Sequence, residues 1–366
     1  MTNYRTSSDT PKSKKVLKIV LRILAVILTF VLVLAGTLVL TIKMILGNTS
    51  PSARSILTTT LLETGQLKFV VSLFLNSEEV QEIVNANSME AFDDSVDEGL
   101  ININGSTDDP AGASTDSGKA VEVFEIPGRT YTGYMIKVKD PSRVSLATIY
   151  PWRDEGVTLD VLVNDSNSLA GINGGIYNSY NNSGGAPMGV VVSHGEIQMN
   201  YPQADTGYVL IGLTEDNILE IFPIGQYTSA QMEQVIREKK IRDAVTFQEE
   251  SSDSNNHFVQ LIINGKERGL NGAGSGLNPR TAIGQCADGS LLLLVTDGRG
   301  KAGHLGASAS DLIDIMLEYG AVNAANLDGG SSSCMYYDNE WLMTSVTFYY
   351  SNSSWKLPFA FVVSKE

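Results

Sequence analysis

Cysteine and histidine are scarce in this chain, and their scarcity excludes several kinds of protein. The 366 residues include two cysteines, Cys286 and Cys334, and three histidines. Two cysteines cannot build the disulfide framework of a small secreted domain, although an exported chain could join them in one bridge. The sequence also lacks the C-x-x-C and H-E-x-x-H spacings of zinc sites. We therefore predict no metal and no cofactor; calcium held by exposed carboxylates is an alternative that no motif supports.

Positive charge is also in short supply after the first 43 residues. The chain has a net charge of −15, yet residues 1–43 carry seven Lys or Arg and a single acidic residue. Because phosphate backbones are bound by basic surfaces, the acidic remainder argues against nucleic acid as a partner. The hydrophobic content of 43% excludes a fully disordered or collagen-like chain. The length predicts one large domain or two small ones, with appendages.

One long apolar run, Ile23 to Ile42, stands near the N-terminus. Its twenty residues carry no charge, which matches the ~20 residues that cross a bilayer as a helix. The basic residues before it predict a cytoplasmic N-terminus and an exported body at the cell membrane, on the outer face of a Gram-positive-type cell. A cleaved signal peptide is the alternative, but its apolar region is usually ~7–15 residues long and ends at a small-x-small site. We expect an uncleaved anchor. The basic residues are Arg5, Lys12, Lys14, Lys15, Lys18 and Arg22.

The sequence after the apolar run is first helical in pattern and then strongly acidic. Leu57, Leu61 and Leu62 fall near a 3.6-residue period, and Asn76 can cap a second helix. Residues 76–120 carry eleven acidic side chains and one basic one, a composition that cannot bury enough surface to fold. We predict, in order, a basic cytoplasmic tail over 1–22, a transmembrane helix over 23–42, a helical stalk over 43–92, an acidic linker over 93–119 and a catalytic domain over 120–366.

From residue 120 the texture changes to short β-rich runs separated by Gly, Asn and Pro. Tight hairpin turns are indicated at His194-Gly195, Asn264-Gly265 and Asp288-Gly289. Helices are predicted over Ser229–Ile241 and Ser308–Tyr319. We therefore predict an α+β fold, with a mixed, largely antiparallel β-sheet domain and a few packed helices. The predicted strands are Val121–Ile126, Tyr134–Val138, Val144–Tyr150, Gly189–Val192, Tyr208–Leu213, Phe258–Ile263, Ala282–Gln285 and Leu291–Val295.

Four polar, glycine-rich segments carry the candidate chemistry. They are Gly171–Tyr177 (GINGGIY), Asn278–Gly284 (NPRTAIG), Thr296–Arg299 (TDGR) and Asn326–Ser333 (NLDGGSSS). Each one alone is typical of a turn, because D-G and G-G pairs adopt turn conformations at little cost. Two of them, however, place an aspartate directly after an apolar or small-residue run. A glycine then follows, so a ligand can approach the carboxylate closely.

The residue types in these segments suit a phosphorylated or sugar ligand. The planar fork of Arg280 can grip a phosphate, and the Gly-Gly-Ser run after Asp328 can form an anion-binding nest. Asp297 and Asp328 supply carboxylates for acid–base work. Asn173 can donate its amide to sugar hydroxyls. A serine nucleophile among residues 331–333 is the rival interpretation, but the chain has no G-x-S-x-G elbow.

The ordered series N-G-G-x-Y, N-P-R-T-A-I-G, D-G-R and N-L-D-G-G-S-S-S resembles the phosphodiester glycosidase family, which includes exopolysaccharide-biosynthesis-type bacterial proteins. The resemblance covers roughly Glu122–Val363. It implies a hydrolase that cleaves the glycosidic bond of a sugar-1-phosphodiester in a cell-envelope glycan or glycoconjugate. Catalytic roles are implied for Asp297, Asp328 and Arg280. Substrate-binding roles are implied for Asn173, Gly174, Gly175, Thr281, Arg299, Asn326, Gly329, Gly330 and Ser331.

Two further residues complete the candidate site, and two departures from the family pattern bear on it. His304, in the loop after Arg299, is a candidate for substrate contact or proton donation, with an ordinary exposed loop histidine as the alternative. Lys356 stands where the family tends to have an arginine; it keeps the charge and loses the bidentate fork. Ser331 replaces a third glycine of the usual fourth motif. These departures favour the alternative function, a catalytically inactive glycan- or phosphosugar-binding protein or a polysaccharide-assembly protein. The sequence leaves open which aspartate is the base, whether the reaction retains or inverts, and which sugar and aglycone are involved.

Overall fold

The computed structural model describes residues 11–64, 67–92, 94–103, 119–204, 206–252, 256–346 and 352–366. Residues 1–10 of the predicted tail and most of the predicted linker, at 93 and 104–118, lie outside these described residues. The chain forms two compact units, Met1–Arg54 and Ser55–Glu366.

The first unit is dominated by one long apolar helix. Helix α1 spans Pro11–Met44, and a π-helical turn over Ile45–Thr49 follows it. The stretch Lys15–Gly47 contains an 18-residue window with a mean hydropathy of 3.0 and is the one helix within the described ranges that is long and apolar enough to cross a membrane. A membrane anchor and a signal sequence share this property.

Three helices, the first of which spans the boundary at Arg54, differ from the predicted stalk because they pack into the body of the second unit. They are α2 (Pro51–Leu62), α3 (Lys68–Ser72) and α4 (Ser77–Asn85), and α4 starts at a capping box between Asn76 and Glu79. The segment after α4 runs beside residues 268–271, where the Glu90 N–H donates to the Gly269 carbonyl at 2.9 Å. While Phe69 and Leu73 remain exposed, the body covers one apolar side of these helices, because burying apolar surface is favourable in water. Their buried residues include Leu62, Val71, Val80, Ile83 and Val84.

The rest of the second unit is built from short strands and three more helices. In chain order these elements are β1 Val121–Pro127, β2 Thr132–Val138, β3 Val144–Thr148, α5 Leu159–Asp165, β4 Ser168–Asn173, β5 Tyr177–Asn178, β6 Ala186–Pro187, β7 Val190–Ser193, β8 Glu196–Asn200, β9 Tyr208–Thr214, β10 Leu219–Pro223, α6 Ser229–Glu238, β11 Ile241–Gln248, β12 Glu250–Ser251, β13 Asn256–His257, β14 Gln260–Ile263, β15 Lys266–Glu267, β16 Arg280–Cys286, β17 Leu291–Thr296, α7 Ala309–Glu318, β18 Ala321–Asn326, β19 Met335–Tyr337, β20 Glu340–Met343 and β21 Phe359–Ser364.

The strands form three main antiparallel sheets. A seven-stranded sheet has the order β1-β2-β17-β16-β18-β14-β15. Two five-stranded sheets have the orders β10-β9-β11-β7-β8 and β20-β19-β4-β21-β3, and two small ribbons pair β5 with β6 and β12 with β13. Each paired register is antiparallel, as between β16 and β17 and between β16 and β18. The predicted α+β class with largely antiparallel sheets is therefore confirmed.

The central strand β17 shows how the sheets share their cores. Leu291, Leu293 and Val295 point into a large core that also contains residues of both five-stranded sheets. The alternate residues Leu292 and Leu294 face a second core that helix α7 covers. Because both faces of the strand are buried, its sequence is continuously apolar. A third, smaller core lies between α6 and the sheet that contains β7 and β9.

Candidate active site

The sequence motifs meet at one edge of the seven-stranded sheet. Arg280 begins β16 and pairs with Thr296, the last residue of β17, so Asp297 follows directly beside it. Asn326 ends β18, the neighbour of β16 on its other side, and Asp328 comes two residues later. In antiparallel sheets the start of one strand lies beside the end of the next, and this geometry brings motifs that are far apart in sequence together.

Asn173, at the end of β4, joins three of the motifs. Its Oδ1 accepts hydrogen bonds from the Thr281 hydroxyl at 2.8 Å and from the Cys334 N–H at 3.2 Å. Its Nδ2 donates to the backbone carbonyl of Asp328 at 2.6 Å. The side chain is 1% exposed. In the structure, Asn173 and Thr281 therefore position the loop around Asp328. The Asn173 amide is buried, so a sugar hydroxyl in solvent would not reach it.

Two glycines in the fourth motif allow an arginine to approach its backbone. Gly330 has a φ of +62°, and a Cβ built there would lie 2.6 Å from Nη2 of Arg299. A Cβ at Gly329 would lie 2.9 Å from the Pro279 carbonyl oxygen. Side chains at these positions would therefore displace the guanidinium or the loop.

Arg299 is a partly buried cation at the centre of this cluster. Its Nη1 donates to the Ser331 hydroxyl at 2.9 Å and its Nε to Oδ1 of Asn278 at 3.2 Å. Its φ of +53° places the backbone in the left-handed region, a conformation that a non-glycine residue adopts at a cost. Burial and the neighbouring Arg280 lower the pKa of Arg299 to about 10, against the opposite effect of Asp328. Arg299 therefore stays charged at neutral pH, in a place suited to an anion.

Asp328 is the carboxyl group whose acidity is most altered in this cluster. Burial raises the pKa of Asp328 to about 6, although hydrogen bonds from the Ser332 hydroxyl and the Gly329 N–H and the charge of Arg299 act in the opposite direction. Its side chain is partly open to solvent. A carboxyl group with a pKa near neutrality, partly accessible and beside a cation, can exchange a proton with a bound molecule.

Asp297 and His304 form a second pair in the loop after β17. The two carboxylate oxygens of Asp297 lie 2.8 and 3.0 Å from Nδ1 of His304, and Oδ1 also accepts from the Thr132 N–H at 2.8 Å. The Asp297 side chain is 6% exposed, and that of His304 is 26% exposed. Asp297 therefore orients the imidazole, whose other nitrogen, Nε2, is left to face solvent or a ligand. This geometry favours a functional histidine over an ordinary loop histidine.

Two of the three guanidinium nitrogens of Arg280 donate hydrogen bonds to other residues of the protein. Nε donates to the Ala307 carbonyl at 3.1 Å, and Nη2 donates to the Gly276 carbonyl at 2.7 Å and to Glu63. The guanidinium carbon lies 4.9 Å from the centroid of the Phe258 ring. The remaining nitrogen, Nη1, donates to no residue in the described part of the chain. The side chain is thus buried and fixed, with one nitrogen left for a ligand.

The other predicted site residues lie in packing or on the surface. Gly174 packs against Phe359 and Gly175 against the backbone of Thr246. Asn326 donates to the Phe258 carbonyl at 2.9 Å, while its buried Oδ1 has no hydrogen-bond partner among the described residues. Lys356 forms an ion pair with Glu155 at 2.8 Å, on the side of the molecule near Asn182. None of the contacts found for Lys356 reaches the arginines, and the structure does not bring it into the cluster.

Sequence reasoning missed Glu63 and gave no role to Asn278 or Tyr177, and it considered Ser332 only as part of a serine run. Asn278, Tyr177 and Ser332 lie inside the quoted motifs, so their positions alone were a signal. The Tyr177 and Ser332 hydroxyls share a hydrogen bond of 2.9 Å beneath Asp328, and burial raises the pKa of Tyr177. Glu63 belongs to the predicted stalk, and no local pattern singled it out.

Two further observations complete the description of the site. An open depression beside it is lined by Tyr177, Tyr180 and Met188, and the Tyr180 ring is 75% exposed. Within the described ranges, no cluster of three or more His, Cys, Asp or Glu side chains could hold a metal ion. Cys286 and Cys334 are both free and buried, so the alternative of a disulfide bridge is not realised.

Comparison with known proteins gives three kinds of match. The phosphodiester glycosidase family model matches residues 166–364. The catalytic domain of zebrafish N-acetylglucosamine-1-phosphodiester alpha-N-acetylglucosaminidase, auto-inhibited by its pro-peptide, superposes with a TM-score of 0.51 at 16% identity, over 69% of this chain and 86% of that one. At this identity the likeness shows the fold. A hypothetical protein from Synechocystis gives a TM-score of 0.43 at 16% identity, over 66% of this chain and 61% of that one.

A curated sequence relative covers only a small region. The SPbeta prophage-derived uncharacterized protein YomE of Bacillus subtilis is 45% identical over 56 residues, which are 15% of this chain and 8% of that protein. The chain therefore spans less than a tenth of that relative's length. The family model, by contrast, covers more than half of this chain and includes all four motifs from Asn173 to Ser333. The chain belongs to the phosphodiester glycosidase family.

Proposed function

We propose that this protein hydrolyses the glycosidic bond of a sugar-1-phosphodiester, releasing a free sugar and a phosphomonoester. The observation that carries the proposal is the position of two partly exposed groups in one cluster: Asp328, whose pKa is raised to about 6, and the cation Arg299, which contacts the loop directly after Asp328. A phosphodiester brings a negative charge to the arginine and an anomeric carbon next to it. Family membership supports the same reaction class.

Arg299 and its neighbours are suited to the departing phosphate. When the bond between the anomeric carbon and the phosphate oxygen breaks, both electrons go to that oxygen and negative charge builds up there. Arg299, the Ser331 hydroxyl and Nη1 of Arg280 would stabilise that charge. Because phosphate is a good leaving group, this electrostatic contribution outweighs protonation.

Asp328 is the group that we assign as base. The anomeric carbon becomes oxocarbenium-like as the phosphate leaves. A water molecule attacks that carbon, and the Asp328 carboxylate accepts the proton that the water loses. Asp297 is less suited to this role because its carboxylate already binds His304 and the Thr132 N–H. We assign Asp297 to positioning His304, which in its doubly protonated imidazolium form would donate the Nε2 proton to the phosphate group and keep the Nδ1 proton on Asp297.

The depression lined by Tyr177, Tyr180 and Met188 is the surface that we assign to the sugar or the chain attached to it. An exposed tyrosine ring offers an apolar face and a polar tip, which suits the mixed surface of a sugar ring. The depression adjoins Asp328 through the Tyr177–Ser332 hydrogen bond. A substrate seated there would extend towards the arginines.

We infer from the N-terminal helix that the enzyme works outside the cytoplasm on a cell-envelope glycan or glycoconjugate. Helix α1 is apolar enough to span a membrane, and basic residues precede its apolar part. The positive-inside rule then directs the second unit to the outer face. An exopolysaccharide or another phosphate-linked envelope polymer is the substrate class that fits this location.

The experiment that tests the proposed function follows the cleaved bond. The full chain in detergent is incubated with a synthetic sugar-1-phosphodiester in water enriched in ¹⁸O. Cleavage between carbon and oxygen leaves the phosphomonoester without label, whereas cleavage between phosphorus and oxygen labels it. Release of unlabelled phosphomonoester supports the proposal. Saturable binding without any release would instead support the alternative of an inactive glycan-binding protein.

A further inference from the structure

Glu63 lies in the predicted stalk, yet its carboxylate is enclosed by the candidate active site. The Gly276 N–H donates to Oε1 at 2.7 Å, and Nδ2 of Asn278 donates to Oε2 at 3.1 Å. Nη2 of Arg280 forms an ion pair with Oε2, and Nδ2 of Asn256 lies 3.4 Å from Oε1. The Glu63 side chain is 2% exposed. Four donors thus surround one carboxylate.

The contacts of Glu63 extend to both arginines of the site. Arg280 binds it directly. Asn278 donates to Glu63 through Nδ2 and accepts from Nε of Arg299 through Oδ1. Because an amide oriented by one partner presents a fixed geometry to the other, Glu63 sets the direction in which Asn278 meets Arg299. A single carboxylate therefore positions two guanidinium groups, one directly and one through an amide.

The charge of Glu63 is also needed for the two cations to share the site. Arg280 lowers the pKa of Arg299, whereas Glu63 raises it. The guanidinium groups of buried Arg280 and partly buried Arg299 repel each other, and a buried charge is tolerated when it is paired and hydrogen-bonded. Glu63 compensates part of this repulsion, and the two arginines together with Glu63 keep one net positive charge for a phosphate.

Helix α2, which ends one residue before Glu63, is built into the fold. The Leu277 N–H donates to the Thr60 hydroxyl at 3.0 Å, and a Cβ at Gly276 would lie 2.4 Å from the Thr60 nitrogen. Thr59 and Leu62 are buried. Because Gly276 has no side chain, its loop can pack directly against the backbone of α2. This close packing indicates that α2 is a permanent part of the fold.

We propose that Glu63 is a positioning residue of the active site, supplied by the segment next to the apolar helix, which holds Asn278, Arg280 and Arg299 for the phosphate of the substrate. An effect of Glu63 on turnover rests on the proposed function. An effect of Glu63 on phosphate binding does not depend on the reaction. It follows that the site is incomplete without residues N-terminal to the region that the family model matches.

The test compares Glu63→Gln and Glu63→Asp with a matched control, Glu82→Gln, in the full chain. Glu82 lies in the same segment, on the exposed side of α4. Two quantities are measured: kcat and KM for a sugar-1-phosphodiester, and the Kd of inorganic phosphate by calorimetry. A displacement of about 1 Å in a positioned group can cost ~10²-fold in rate, so we expect kcat/KM to fall by about that factor in both Glu63 variants. Phosphate should bind about tenfold more weakly, and Glu82→Gln should match the wild type.

The outcomes separate this proposal from the proposed function. If the wild type turns over no phosphodiester, the reaction fails, and the dependence of phosphate binding on Glu63 still decides the positioning role. Phosphate affinity and kcat/KM equal to those of Glu82→Gln would overturn the proposal. A gain in either quantity would also overturn it, because Glu63 would then occupy the anion site instead of shaping it. If circular dichroism shows Glu63→Gln to be unfolded, Glu63→Asp, which keeps the charge, and Asn278→Ala, which breaks the link to Arg299, decide on the same two measurements.

Discussion

At the scale of single residues, Asp328 carries opposite consequences for stability and for chemistry. Its pKa is raised to about 6 by burial, from the 3.8 of a free carboxyl, so the folded state favours the protonated form. The favourable contribution of protonated Asp328 to the free energy of unfolding is complete below about pH 4. It is lost as the pH rises through about 6. The charged form of Asp328 lowers the stability of the fold. A carboxylate that is unfavourable for folding is typical of a functional site, which is consistent with a role as base.

We predict that Asp328→Asn stabilises the protein at pH 8 and has little effect at pH 4. The substitution removes a partly buried charge that is present only above the raised pKa. The difference is at most about 3 kcal/mol, and less because the side chain is partly exposed to water. Urea unfolding of both proteins at the two pH values measures it. An equal effect at both pH values would show that the pKa of Asp328 is not raised.

The Asp297–His304 pair gives a second prediction at this scale. Asp297→Asn keeps an acceptor for the Thr132 N–H but removes the charge that orients the imidazole, so kcat should fall by ~10²–10⁴-fold. His304→Gln should cause a similar loss. The double variant should be little worse than the poorer single variant, because residues that act as a unit are not additive. Losses that multiply in the double variant would show two independent roles.

At the scale of secondary-structure elements, the strands position the site and the links between them are polar and buried. Asn173 at the end of β4 connects β16 and the loop after β18 through the Thr281 hydroxyl and the Asp328 carbonyl. These contacts hold two sheets in register at the place where the motifs converge.

We predict that Asn173→Ala lowers stability more than it disturbs substrate contacts. It leaves the Thr281 hydroxyl, the Cys334 N–H and the Asp328 carbonyl without their partner, and each buried unsatisfied group costs about 1–3 kcal/mol. Asn164→Ala, at an exposed position in α5, is the control. The free energy of unfolding in urea is the measurement. If Asn173→Ala has the same free energy of unfolding as the control and only its KM is higher, Asn173 is a substrate ligand, as the sequence predicted.

The sequence predicted those elements whose pattern is self-contained. The apolar run of β17, the α7 helix and the turns at His194-Gly195 and Asn264-Gly265 are confirmed, and both residues of each turn have positive φ. β18 was missed because its sequence AVNAAN has few β-branched side chains, so its pairing in the sheet decides its conformation. The predicted helix Ser229–Ile241 ends at Glu238, because Ile241 already begins β11. Convergence of the motifs was predicted from the family resemblance, whereas the contacts of Glu63 depend on tertiary packing that no local pattern encodes.

At the scale of the whole molecule, the boundary of the catalytic unit differs from the one predicted. The sequence placed it at residue 120, after a stalk and a linker. In the structure the unit extends from Ser55 to Glu366, and the segment before the predicted boundary buries Leu62, Val84 and Phe92. Acidic composition suggested a free linker, but in the part of it that the structure describes, 94–103, Ile101 is buried and Val96 packs against the main core.

We predict that residues 55–366 form a soluble, folded protein and that residues 120–366 do not. The shorter chain would expose the apolar surface that α2 to α4 cover and would leave Arg280 without its carboxylate partner, both of which are unfavourable. Circular dichroism and gel filtration of the two truncated proteins measure this. A monomeric, cooperatively melting 120–366 would restore the boundary that the sequence predicted.

The measurement that tests the central claim most directly is the pH dependence of sugar release by the full chain and by Asp328→Asn. With Asp328 as base, kcat/KM of the wild type for a sugar-1-phosphodiester should fall as the pH drops below about 6, because the carboxylate becomes protonated. The variant should lose at least ~10²-fold in kcat/KM, and its remaining activity should not follow that titration. Release of free sugar by Asp328→Asn at the wild-type rate, with the same decline below pH 6, would contradict the account.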